Sequence, residues 1–297
     1  MTEEPPEIEL PRGVALAWGV AANPQRGPKR ELSIERIVEA AVEIADRDGL
    51  GAVSMSSVAT SLGFTTMSLY RYVSAKEDLI LLMQEYGTGL PPATIAAASG
   101  WRAGMRLWSA ASLEAYRAHP WLIEIPITGP PNTPNNLAWM DAALAVLAET
   151  PMTAAERIGV LLLVTGQTRW EAGVAHGTVP DANAASDAYV FTTLVTAEAF
   201  PALHRAVLDG GMLEDDEEDQ FRFGLERILD GVQHYLDSGA ASGSPATLEA
   251  WEEPSSYPRD EGVKAARQAR REAETKLREA QKREREAIKR AVEREKR

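Results

Sequence analysis

Residues 54–73, SMSSVATSLGFTTMSLYRYV, decide the fold. Ser54 is a strong helix N-cap, and Val58, Ala59 and Leu62 after it recur at helical spacing. Gly63 supplies a backbone conformation that a Cβ resists, so it ends this short helix and turns the chain at Gly63-Phe64. Thr65 or Thr66 can cap a second helix running through Leu69 to Val73. Two short helices joined by a tight turn follow the helix-turn-helix plan, in which the second helix enters the major groove of DNA. Ala59 has the small side chain that a close helix crossing demands, and Leu62, Leu69 and Val73 give the pair a shared core.

Upstream, Ile34, Ile37, Ala41, Ile44 and Ala45 form one stripe of an amphipathic helix that starts after Ser33 and stops at Gly49. Downstream, Ser74-Ala75-Lys76-Glu77 predicts a capping box, and Leu79, Leu82, Met83 and Tyr86 a fourth helix. Gly87, Gly89, Pro91 and Pro92 then mark a break and a domain boundary. Segments 101–118, 135–149, 153–175, 184–200, 201–208 and 216–236 keep three-to-four spacing of apolar residues, and no period-two strand pattern occurs. The expected fold is all-α.

The stretch 37–83, IVEAAVEIADRDGLGAVSMSSVATSLGFTTMSLYRYVSAKEDLILLM, resembles the DNA-binding head of TetR-type (tetracycline-repressor) transcriptional regulators almost throughout. The resemblance implies that Thr65, Thr66, Met67 and Ser68, then Tyr70, Arg71 and Tyr72, face DNA, with Lys76 holding a phosphate. The chemistry agrees. Hydroxyls and a lysine anchor phosphates, and an arginine can read guanine bidentately. Ser56 departs from the pattern, because many relatives carry a cation there. The resemblance also implies a C-terminal helical bundle over 92–238 that dimerises and holds a small-molecule pocket. Trp101, Met105, Trp108, Tyr116, Trp121, Trp139 and Trp170 are the candidate pocket lining. Two-fold dimerisation multiplies the few base contacts of one short helix over pseudo-palindromic half-sites, and helices 153–175 and 216–237 are the candidate dimer helices. The place of the family's drug-chelating histidine falls on Ile123 here, so tetracycline is not the expected effector.

The formal charge of −13 excludes whole-surface nucleic-acid binding, so any DNA contact is local. The chain divides into an arm (1–30) ending in Arg26, Lys29 and Arg30, a head (31–91), the bundle, a linker (239–258) and a charged helical tail (259–297). The arm lacks helical periodicity and reads as mobile, and its cations can reach phosphates or the adjacent minor groove. The tail holds fifteen Lys and Arg against nine Asp and Glu, a net of +6, which leaves −19 for the remainder.

No cysteine is present, which excludes disulfides and thiolate sites. The acidic start MTEEPPEIELPRG is no secretory signal, and Ile158 to Val164 is far short of the ~20 residues that span a bilayer. A cytoplasmic protein with no membrane contact is expected. His119, before Pro120, has no second ligand nearby, and His176, His204 and His234 are scattered, so neither a metal, a cofactor nor an enzyme site is expected. The reading is a sequence-specific DNA-binding regulator, a repressor released from its operator by an unidentified small apolar or amphipathic ligand. The alternative is a regulator controlled by a protein partner through the charged C-terminal helix.

Overall fold

The computed structural model describes residues 10–21, 32–177, 189–208 and 217–239, together with individual residues between 262 and 283. Arg26, Lys29 and Arg30 and the linker from residue 240 on lie outside the described residues. Residues up to Pro245 belong to one compact unit and those from Ala246 to another, whose described residues are helical and exposed. Among the described residues the chain is all-α.

Helix α1 is Arg12–Ala17, α2 Ile34–Asp48, α3 Met55–Leu62, α4 Thr66–Leu69 and α5 Lys76–Thr88. Ser33 caps α2 by accepting from the Arg36 N–H at 3.3 Å, and Gly49 ends it at φ +81°. The α2 stripe of Ile37, Ala41, Ile44 and Ala45 is buried against Val58, Leu69, Val73, Leu79 and Met83. Fully burying one such side chain is worth about 1.5–3 kcal/mol, so this small core holds the short helices that have little stability alone.

The second layer is α6 Trp101–Ala118, α7 Pro134–Leu147, α8 Ala154–Gly177, α9 Pro201–Leu208 and α10 Glu217–Asp237. Its core joins Met105, Trp108, Trp139, Leu147, Val160, Val164 and Leu229. Trp108 and Trp139 meet edge-to-face at 5.8 Å, and the Trp108 indole N–H donates to the Trp139 carbonyl at 2.9 Å. Helices α8 and α10 run antiparallel, with Tyr235 donating to Glu156 at one end and Gln167 to the Phe221 carbonyl at the other. Arg106 and Arg102 on α6 bind Glu226 on α10 and hold its carboxyl down at about 2.

The structure departs from the sequence reading at several places. Helix α5 starts one residue late for the expected capping box: its N-cap is Ala75, with no side-chain cap. Glu77 therefore sits at the second helical position rather than the third, and the Ser74–Glu77 reciprocity is lost. Helix α5 also runs through Gly87 and ends at Gly89, because Gly87 is a packing position. Of the expected helix 184–200, residues 184–188 lie outside the described residues. Residues 190–194 form one π-turn, and Val195 then adopts an extended conformation that ends it. Residues 12–17, read as part of a mobile arm, are helical because Val14 is buried and Leu16 and Ala17 pack on the head core.

Helices α6 and α7 cross where Gly104 has no side chain, and a Cβ there would lie 2.5 Å from Val146 Cγ1. Valine is stiff at χ1, so it cannot swing aside cheaply. Gly104→Ala is expected to cost about 1–3 kcal/mol in urea unfolding, the usual range for overpacking, and unchanged stability would contradict the crossing.

Candidate nucleic-acid interface

Helix α3 is held at both ends. Ser54 Oγ accepts from the Ser57 N–H at 3.0 Å while Ser57 Oγ accepts from the Ser54 N–H at 2.9 Å, a reciprocal capping box built from two serines. Gly63 takes the left-handed conformation, φ +73°, so its N–H reaches the Thr60 carbonyl and that of Phe64 the Ala59 carbonyl. Ala59 is buried in the turn's crotch, as its size requires.

Helix α4 is a single turn shorter than expected, and the chain from Tyr70 to Tyr72 continues as tight turns, with Tyr72 and Val73 N–H groups both donating to the Leu69 carbonyl. Thr65 is extended, and its hydroxyl pairs with Ser68 Oγ at 3.0 Å instead of capping the backbone. Leu69 and Val73 are fully buried, and that anchoring turns Thr65, Met67, Tyr70 and Arg71 outward. Thr65, Tyr70, Arg71 and Lys76 are exposed, and Met67 is 72% exposed, high for a thioether side chain. Thr66, Ser68 and Tyr72 are half-buried, Tyr72 against the head core. Ser56, exposed on α3, adds no cation to this face.

The joint between the two layers gave little signal in the sequence. Helix α6 stops at Ala118, and His119-Pro120 opens a 3-10 turn, Pro120–Ile123, that drives Trp121 into the head core, where it is 1% exposed. The Trp121 indole N–H donates to Asp46 Oδ1 on α2 at 2.6 Å, and His119 Nδ1 pairs with the same oxygen at 2.8 Å. Gly87 faces the indole so closely that a Cβ would sit 3.1 Å from Trp121 Cη2. Helix α5 is pinned again in the same last turn, where Glu85 Oε1 accepts from the Asn135 N–H at 2.6 Å and Trp139 Nε1 donates to the Gly89 carbonyl at 3.0 Å.

From the other side, Arg169 on α8 donates to the Ile123 and Ile125 carbonyls, both at 2.6 Å. Ile123, Gly166, Arg169, Trp170, Gly173 and Val174 line an open groove of about 490 Å³. The seven expected pocket residues do not converge on it. Met105, Trp108 and Trp139 fill the second core with Trp101 packed at its edge, Trp121 and Tyr116 serve the head core, and Trp170, 70% exposed, lines the groove. Aromatic spacing reports burial, whereas Ile123 and Arg169 carry no such mark. Among the described residues no group of three His, Asp or Glu is placed to hold a metal ion.

Residues 37–83 match the family described as bacterial regulatory proteins, tetR family, and residues 96–236 match the tetracyclin repressor-like C-terminal domain. The chain is 32% identical over 259 residues to the HTH-type transcriptional repressor DrrR1 of Streptomyces coeruleorubidus, covering 82% of this chain and 93% of that protein. Its fold is similar to that of ActR from Streptomyces coelicolor, with a TM-score of 0.59 for the apo form at 21% identity, covering 71% of this chain and 100% of that one. The ActR complex with actinorhodin gives 0.60 at 23% identity, covering 73% and 100%.

Asp46→Ala strips a buried indole N–H of its acceptor and is expected to cost about 1–3 kcal/mol in urea unfolding, whereas Asp46→Asn, which keeps an acceptor oxygen, costs less. Equal losses in the two variants would show that the hydrogen bonds do not hold this joint.

Proposed function

The chain belongs to the TetR family of bacterial regulatory proteins, and we propose that it is a dimeric repressor that binds a pseudo-palindromic operator through α4 and is released by a small apolar or amphipathic ligand. The observation that carries the reading is the outward set of Thr65, Met67, Tyr70, Arg71 and Lys76 around a fully buried Leu69 and Val73. Arg71 reads a base edge, and Met67 can rest on a thymine methyl. Thr65, Thr66, Ser68, Tyr70, Tyr72 and Lys76 position the head on phosphates. Arg26, Lys29 and Arg30 extend the contact toward the minor groove.

The remaining parts follow the same logic. The head spans 31–91 and the ligand-binding and dimerisation bundle 92–238. Leu162 and Leu163 on α8 and Phe223 on α10 are large apolar side chains left mostly exposed, 66%, 59% and 62%, and a second copy would cover them across a two-fold axis. No described helix is long and apolar enough to cross a membrane, and the proposed site of action is operator DNA in the cytoplasm.

The groove at Trp170 is the proposed effector site. Its lining sets two glycines and an indole beside the apolar Ile123 and Val174 and the cationic Arg169. ActR, crystallised with actinorhodin, is a structural relative with a small molecule bound. An occupant touching Ile123 and Arg169 bears on the turn that carries Trp121 into the head, so binding can favour a head pose that misfits the operator. A coupling of about 1–3 kcal/mol is the usual scale of such an effect.

Binding to the DNA flanking its own coding region is expected for the wild type and is lost in the Tyr70→Ala, Arg71→Ala double variant; equal binding by both would refute the residue assignment. Lys76→Ala is expected to lower the slope of log affinity against log salt by about 0.9 per phosphate released. Trp170→Ala is expected to keep operator affinity while a ligand that releases the wild type no longer does so, and retained release would move the effector elsewhere.

A further inference from the structure

Helix α1 and its C-cap Trp18 lie outside both family-matched spans, 37–83 and 96–236, yet together they touch both layers. Its Gly13 N–H donates to Asp78 Oδ1 at 2.9 Å, in the first turn of α5 and two residues from Lys76. The approach is close: a Cβ on Gly13 would lie 2.8 Å from that oxygen and 3.1 Å from the Asp78 Cα. Val14 is buried, and Leu16 and Ala17 pack on the head core. At the other end the Trp18 indole N–H donates to the Asn132 carbonyl at 2.9 Å. Asn132 belongs to the second layer, just ahead of Asn135, the residue whose N–H is held by Glu85. The segment thus spans from the DNA-proximal end of α5 to the start of α7.

We propose that residues 12–18 are a clasp that fixes the angle of the head on the body, with Gly13, Asp78 and Trp18 as positioning residues for operator recognition. The reason is mechanical. Trp121 in its Asp46 and Gly87 socket, with the Glu85 tie at the end of α5, gathers the head's other attachments on its body-proximal side. A head held only there is free to rock, whereas a tether fixed near Lys76 removes that freedom before DNA is met. Ordering the head in advance reduces what association must spend on it. This rests on the reading that two heads meet two half-sites at a fixed spacing, where a rocking head blurs the spacing that is accepted.

The chain has no cysteine, so spin labels can be placed at will. Thr60→Cys on α3 and Glu149→Cys beyond α7, both exposed, report the head-to-body distance within one chain when labelled protein is diluted with unlabelled. Pulsed electron paramagnetic resonance is expected to give a narrow distance distribution for the parent and a wider one for both Gly13→Val, which cannot seat against Asp78, and Trp18→Phe, which keeps an aromatic ring but loses the donor. Unchanged widths in Trp18→Phe, a substitution too mild to unfold the chain, together with unchanged widths in folded Gly13→Val, would overturn the clasp. On operator DNA with one base pair inserted between half-sites, the parent is expected to lose affinity and the variants to lose this discrimination; variants that discriminate as sharply as the parent would also overturn it. Wider distributions beside a parent that binds no operator would keep the clasp and reject the DNA-binding reading.

Discussion

One carboxylate oxygen, Asp46 Oδ1, takes hydrogen bonds from a buried indole and a histidine that belong to a different layer of the molecule. The joint that carries Trp121 into the head turns on it. Trp121 cannot leave the head core without exposing its ring and stripping its N–H, and it cannot shift toward α5 because Gly87 already admits it with no space to spare. Asp46 is on α2, whose buried stripe organises the helix-turn-helix, so a displacement of Trp121 is felt by the elements that present α4. The opposite side of the same turn hangs on Arg169 through two carbonyls, which places the groove, the turn and the head in one line of contacts. Such a chain of packed groups transmits a shift in discrete steps because cores at this density do not deform smoothly.

The shortness of α4 makes sense in this setting. A single turn, Thr66–Leu69, has no stability of its own. It persists because Leu69 and Val73 are fully buried and the serine capping box and Gly63 fix the helix before it. The exposed side chains then hold a fixed arrangement at little further ordering cost, which suits a surface that must match another rigid body.

The head was legible from residues 33–73 because its determinants are local: Ser33 and Ser54 cap, Gly49 and Gly63 stop, and the apolar spacing fixes which faces turn inward. The joint was not legible, because its determinants are long-range. Trp121 follows α6 in the chain, and its aromatic character predicts burial without saying in which core. Gly87 read as a breaker, since a missing side chain looks the same whether the backbone turns there or an indole packs on it. Ser74-Ala75-Lys76-Glu77 had the residues of a capping box, yet the helix start set by burial of Leu79 fell one position later. The docking of Leu16 and Ala17 on the head core was hidden because six residues are too few to show a helical period.

The proposed reading of DNA by α4 and the turn from Tyr70 to Tyr72 is open to test by selection from random duplexes. The wild-type chain is expected to enrich one pseudo-palindrome, and Arg71→Lys, which keeps the charge but loses the bidentate fork, a site degenerate at one position in each half. Enrichment of no motif by the wild type, or of an identical motif by both proteins, would contradict it.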